Sequence, residues 1–170
     1  MSNRISLREF QQALSERIRQ SSAQTVGTMR LAVRVGGQNW LVDLADISEV
    51  IAPPPVTPVP LTHSWFLGIT NIRGRLYTVV DLPAYAGLGS ALGETGHRLL
   101  LIHPRFAAQA ALLVDQAQGL RNLENMQPES SAGDARWNGN AYRDEEGQLW
   151  HNTDLGSLVS HAEFLAPGRA

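Results

Sequence analysis

Leu67-Gly68-Ile69-Thr70-Asn71-Ile72-Arg73-Gly74-Arg75-Leu76-Tyr77-Thr78-Val79-Val80-Asp81-Leu82 sets two short apolar runs on either side of an Arg-Gly-Arg turn. Gly74 tolerates positive φ, so it can reverse the chain tightly between two strands. The stretch therefore predicts a β-hairpin with fixed cations, Arg73 and Arg75, at an exposed tip. Loops held by a rigid scaffold are where binding residues gather.

Upstream, Leu31, Val33 and Val35 alternate with Arg30, Ala32 and Arg34. Gly36-Gly37-Gln38-Asn39 is a turn and Trp40-Leu41-Val42 returns, which predicts another hairpin. Leu44, Ile47 and Val50 predict a helical turn leading into a brief strand. Residues 53 to 60 hold five of the nine prolines. Proline supplies no backbone donor, which excludes a central strand there. A proline-rich ligand and a stiff connection are the two readings, and the connection is the simpler. At the N-terminus, Ser6 followed by Glu9 is a capping-box pattern. Leu7, Phe10, Leu14 and Ile18 then form one helical stripe, so residues 5–20 predict a helix that packs on the body or on a partner.

Downstream, Gly87 to Gly96 is glycine-rich but carries neither a Gly-Lys-Ser/Thr ending nor the G-x-G-x-x-G spacing, so it reads as a flexible connection rather than a phosphate loop. Leu99-Leu100-Leu101-Ile102 predicts a buried strand, His103-Pro104-Arg105 a turn, and Ala110 to Val114 the return. Residues 116–126 predict a turn and a strand, and 128–135 a loop. Trp137–Tyr142 and Gln148–Trp150 predict two more strands. Leu155, Leu158, Val159, Ala162 and Leu165 predict a closing helix capped by Asp154.

One pattern recurs: an apolar run ends in aspartate and a short helical piece follows. It occurs at Asp43, Asp81 and Asp115, and in degraded form at Asp154. A carboxylate at a strand exit accepts from the free N–H groups of the next turn, so these aspartates read as caps rather than catalysts. The repeat predicts two similar strand-rich subdomains, and short connections favour small barrels without open sheet edges.

The totals narrow the function classes. Fourteen Lys and Arg against sixteen Asp and Glu give a net charge of −2, without the basic excess of a dedicated nucleic-acid binder. No cysteine is present, so disulfides, thiol nucleophiles and cysteine-bound metals are excluded. No secretory signal or membrane span is read, which predicts a soluble cytoplasmic protein. The five histidines lack metal-pair spacing and G-x-S-x-G is absent, so the expectation is a binding module with no catalytic residue, cofactor or metal. Its informative polar groups are Glu49, Arg73 and Arg75. Pairing of Arg73 with Glu49 or another carboxylate inside the chain is one reading of them. An exposed pair of that kind stabilises little and exchanges readily for a partner's charge.

Gly68-Ile69-Thr70-Asn71-Ile72-Arg73-Gly74 followed by Val79-Val80-Asp81-Leu82 resembles the signature hairpin of the CheW family of chemotaxis adaptors. Ser48-Glu49-Val50-Ile51 and Ala111-Leu112-Leu113-Val114-Asp115 are similar to two further family segments. The resemblance covers roughly residues 29–165. It implies a mainly β fold of two SH3-like five-stranded β-barrels, about 29–87 and about 97–153, closed by a helix at about 154–165. Residues 1–28 would be an added helix and linker. It implies a non-enzymatic scaffold that joins the cytoplasmic tip of a methyl-accepting chemoreceptor to the regulatory domain of a CheA-type histidine kinase. Ile47, Glu49, Asn71, Arg73 and Arg75 would face the receptor, and apolar barrel-end residues the kinase. Such a protein would neither bind nucleic acid nor insert in the membrane, and its partners would recruit it to receptor arrays. The added helix and the Asn-Ile-Arg-Gly-Arg-Leu tip are closer in style to the adaptor of type IV pilus (twitching) systems. The heavier proline run and the absence of a glycine-rich strand in 136–150 depart from the family pattern. The rival readings are a stand-alone SH3-like module and a hydrolase on a barrel scaffold.

Overall fold

The computed structural model describes residues 11–13, 15–17, 19–20, 27–93, 95–130 and 138–169. Strands β1 (Met29–Val35) and β2 (Gln38–Asp43) form the first hairpin, turning through Gly36 and Gly37 at φ 56° and 78°. A 3-10 turn (Leu44–Asp46) leads into β3 (Ile47–Ile51), as the spacing of Leu44, Ile47 and Val50 predicts. Strands β4 (Phe66–Ile72) and β5 (Arg75–Asp81) are the central hairpin, followed by the short helix α1 (Leu82–Tyr85). Then come β6 (Arg98–Ile102), β7 (Ala110–Val114), β8 (Gln116–Asn122), β9 (Gln127–Glu129), β10 (Asn138–Arg143) and β11 (Leu149–Thr153).

The fold is mainly β with two sheets, in the orders β8-β1-β2-β11-β10-β9 and β3-β6-β7-β5-β4. These sheets do not follow the division at 29–87 and 97–153. The first hairpin joins the C-terminal strands, while β6 and β7 join β3, β4 and β5. Four pairings cross that division: β1 with β8 and β3 with β6 are antiparallel, and β2 with β11 and β5 with β7 are parallel. A hairpin is written in adjacent residues, but a parallel pair joins distant segments through a crossover and leaves no local signature.

The continuous apolar run of β6 reflects burial on both faces. Leu100 and Ile102 point into one core, and Leu99 and Leu101 into another. The first core is shared by the two sheets: Val33, Trp40 and Val42 of one meet Val80, Leu100 and Leu112 of the other. The second lies against the opposite face of the five-stranded sheet, around Val79, Leu99 and Leu113. A small third core, Ala32, Leu41, Met126 and Trp150, fills the six-stranded side. The two subdomains thus share their largest core.

Of the four aspartates read as caps, three are. Asp43 accepts from the Ala45 N–H, Asp81 from Ala84 and Asp154 from Ser157. Asp115 is followed directly by β8 and accepts instead from the N–H of Gly37, in the turn of the first hairpin. The residue before a turn and the residue between two strands look alike in sequence.

The ends differ more from expectation. Residues 11–13, 15–17 and 19–20 are helical with exposed side chains. Ser6, Leu7, Glu9, Phe10, Leu14 and Ile18, which carry the capping box and the stripe, lie outside the described residues. Gln127–Glu129, expected mostly as loop, pairs with β10 as a three-residue edge strand. The closing helix is broken into α2 (Leu155–Ser160) and α3 (Ala162–Leu165) at His161, whose backbone is extended. The break turns Phe164 edge-on to Tyr85, with ring centroids 5.6 Å apart, while the Tyr85 hydroxyl meets His161 Nδ1 at 3.2 Å. Aromatic packing onto the body outweighs continued helical hydrogen bonding here.

The β10–β11 turn is knotted by Asp144. It accepts from the N–H groups of Glu146 and Gln148 and from the Trp150 indole at 2.9 Å. The Trp150 bond, ahead of those from the turn, holds the Asp144 carboxyl below its ordinary range. A depressed folded-state value stabilises the fold above the unfolded value, near pH ~3.9, and that contribution is lost as pH falls through the folded value. Urea unfolding at pH 6 and pH 3 is expected to show a smaller acid loss of stability in Asp144→Asn than in wild type. Equal losses would remove Asp144 from the acid response.

Candidate functional site

The tip of the central hairpin is the candidate site. Ile72 pairs with Arg75, leaving Arg73 and Gly74 as a two-residue loop. Both have positive φ, 52° and 82°, the combination of a type I′ turn, whose twist matches the flanking strands. Sequence reasoning anticipated this for Gly74 and not for Arg73. Asn71 Oδ1 accepts the Gly74 N–H at 2.9 Å, which fixes the loop from within. The turn is thus held by groups of the hairpin itself.

Arg73 closes a two-pronged ion pair with Glu49 on β3, at 2.8 and 2.6 Å. β3 and β4 are opposite edges of the five-stranded sheet, so the pair forms only because the sheet rolls until its edges approach. Glu49 raises the Arg73 pKa above its ordinary value, by hydrogen bonding first and charge second. The Arg73 side chain nevertheless remains 74% exposed. It is a fixed, oriented, solvent-facing charge pair.

The structure sorts the five candidate residues. Glu49 and Arg73 pair with each other, and Asn71 holds the turn between them. Arg75 stands exposed at the start of β5. Ile47 is 9% exposed and belongs to the shared core, opposite Ile102 on β6. It supports the site from below rather than facing outward. A register shift between Ile47 and Glu49 interrupts the alternation of β3, and Glu49 is partly exposed where Ile47 is buried.

The proline run explains how the hairpin is held. Thr57 exchanges both backbone hydrogen bonds with Ile69, and the Thr70 hydroxyl donates to the Pro55 carbonyl at 2.8 Å. The run is a strap along the edge of β4 and caps an otherwise open strand. Its close approach depends on Gly68, discussed below.

Sequence reasoning left the apolar surface unnamed. Leu76 is 58% exposed and Leu165 64% exposed. They flank a groove of about 430 Å³ lined also by Phe66, Ala108, Phe164 and Pro167. The signal was available in part: Leu76 alternates with the inward residues of β5, but nothing local places it beside α3. Among the described residues no group of three or more His, Asp and Glu is arranged to hold a metal ion.

A β-rich body with a preformed charged hairpin tip beside an apolar groove is the anatomy of a protein-interaction module. The chain belongs to the CheW-like domain family, whose model matches residues 30–163. It is 26% identical over 141 residues to Protein PilI of Pseudomonas aeruginosa, covering 79% of this chain and 77% of that protein. It is 30% identical over 99 residues to the chemotaxis protein CheW of Rhizobium meliloti, covering 58% of this chain and 63% of that one. The fold matches the scaffolding protein TtCheW from Thermoanaerobacter tengcongensis with a TM-score of 0.67 and 19% identity, covering 80% of this chain and 94% of that one. The N-terminal helical segment precedes the matched family domain.

Proposed function

We propose that this chain is a non-enzymatic scaffold adaptor of a chemosensory pathway, coupling methyl-accepting chemoreceptors to a CheA-type histidine kinase. The observation that carries the reading is the solvent-facing Glu49–Arg73 pair on the hairpin tip in a CheW-like domain. Glu49, Asn71, Arg73 and Arg75 form the receptor-facing surface. The groove beside Leu76 and Leu165 supplies the apolar contact for the kinase regulatory domain, itself a CheW-like fold. Such an adaptor works by holding two partners in one geometry and shifting their populations, with no bond chemistry of its own.

The pathway is one controlling type IV pili. The similarity to PilI across most of the chain supports this. Among the described residues no helix is long and apolar enough to cross a membrane. The adaptor acts in the cytoplasm and reaches receptor arrays through its partners.

The test is binding of the purified chain to a receptor cytoplasmic tip and, separately, to a kinase regulatory domain from the same organism, with Arg73→Glu beside wild type. Wild type is expected to bind both. The variant sets two carboxylates together where a clasp stood, and is expected to lose receptor affinity about tenfold or more while keeping the kinase. Equal receptor binding by both would overturn the placing of the site. A folded wild type that binds neither partner would overturn the adaptor reading.

A further inference from the structure

The arginines of the body are mostly engaged. Arg30 reaches Asp43 and Asn152, Arg73 pairs with Glu49, Arg105 with Asp46, Arg143 with Glu129, and Arg121 lies over the Trp150 ring. The Arg75 side chain, like those of Arg34 and Arg169, has neither a hydrogen bond nor an ion pair among the described residues. It also lines a notch of about 120 Å³, with Tyr77, Ile102, Pro104, Ala107, Ala108 and Gln109.

The notch is built rather than incidental. Arg75 and Tyr77 are two apart on β5 and share a face. The far wall is fixed to the same strand, because the Gln109 carbonyl accepts the Thr78 N–H at 2.9 Å and its hydroxyl at 3.3 Å. Ala107 holds the left-handed region at φ 53°, with its N–H donated to the Pro104 carbonyl, which shapes the turn without a glycine. No acidic group lines the space, and the nearby carboxylates Glu49 and Asp46 already have guanidinium partners. The uncompensated charge is positive. The volume is that of about four water molecules, room for a carboxylate with one or two methylenes.

We propose that this notch receives a carboxylate side chain from a partner protein, with Arg75 as the counter-ion. The proposal deepens the adaptor reading, on which its second test arm rests, by naming what Arg75 meets. Arg73, already neutralised by Glu49, orients the tip. Arg75 supplies the free charge that steers and selects an acidic partner surface.

The deciding experiment is an amide NMR titration of the full chain with N-acetyl-glutamate amide, alongside N-acetyl-glutamine amide and inorganic phosphate. The glutamate probe is expected to shift Tyr77, Ala107, Ala108 and Gln109 saturably, with at least fivefold larger changes than the glutamine probe. Arg75→Gln should abolish the shifts and Arg75→Lys retain part of them. Equal response to the glutamine probe, or persistence in Arg75→Gln, overturns the proposal. Stronger binding of phosphate makes the notch a general anion site and also overturns it. In the second arm, Arg75→Gln should weaken binding of the receptor tip at least tenfold at low salt and leave the kinase domain bound. Unchanged receptor binding overturns the proposal. If wild type binds neither partner, the adaptor reading fails and the titration alone decides the notch.

Discussion

Gly68→Ala is expected to be among the most destabilising single substitutions in the chain, costing on the order of 3–5 kcal/mol. Gly68 sits in β4 at φ 135°, a conformation that L side chains rarely adopt. A Cβ there would fall on the carbonyl oxygen of Thr57 and lie 2.9 Å from Pro58 Cα. Both obstacles are backbone, in a strap stiffened by proline and tied to Ile69 in both directions, so neither can step aside cheaply. The strap must either lift from β4, orphaning its hydrogen bonds, or the strand must shift. Urea unfolding should show the midpoint fall with little change in slope. A control, Gly74→Ala, also carries positive φ but has open space at its Cβ, so it should cost only about 1 kcal/mol. Equal losses in the two variants would mean that backbone conformation, and not the strap, sets the requirement at 68.

Asp81→Ala should cost about 3–5 kcal/mol for a different reason. Asp81 is 1% exposed and accepts three hydrogen bonds: from Ala84 N–H at 3.3 Å, Ala91 N–H at 3.1 Å and the Ser90 hydroxyl at 2.5 Å. One carboxylate therefore ends β5, caps α1 and pins the glycine-rich connection that leads to β6. Removing it leaves buried donors without acceptors, and the penalty is that of desolvated polar groups rather than of a lost charge. Asp81→Asn keeps one acceptor oxygen for the two backbone donors, and the Ser90 hydroxyl can rotate to accept from the amide nitrogen. It should recover more than half of the lost stability. If Asn and Ala are equally damaging, charge rather than acceptor number is what the site requires.

These two residues show where sequence reading succeeds and where it stops. The cap at Asp81 is legible because its first partner, Ala84, is three residues away. Gly68 is legible as part of a family-like motif, but the reason for it is not, because Thr57 reaches it through a loop whose path no periodicity encodes. The same division runs through the site. Arg73-Gly74 announces a hairpin tip, since turn chemistry depends on two residues and their flanks. Opposite charges at Glu49 and Arg73 make their pairing one possible reading of the sequence, but no local pattern selects it across 24 positions, because it requires the five-stranded sheet to roll. Family resemblance groups Ile47 with them, and the structure buries it against β6, beneath the surface that Glu49 and Arg73 occupy.

Hairpins, caps, the double-sided burial of Leu99–Ile102 and the mainly β character follow from the chain itself, because each is decided by neighbours within a few residues. The parallel pairings of β2 with β11 and of β5 with β7, the core shared between the sheets and the exposed groove beside Leu76 follow only from tertiary structure. A two-residue period tells which face a side chain takes, but not which strand lies beside it. That choice belongs to the chain as a whole, settled by which arrangement buries the most apolar surface with every backbone group paired.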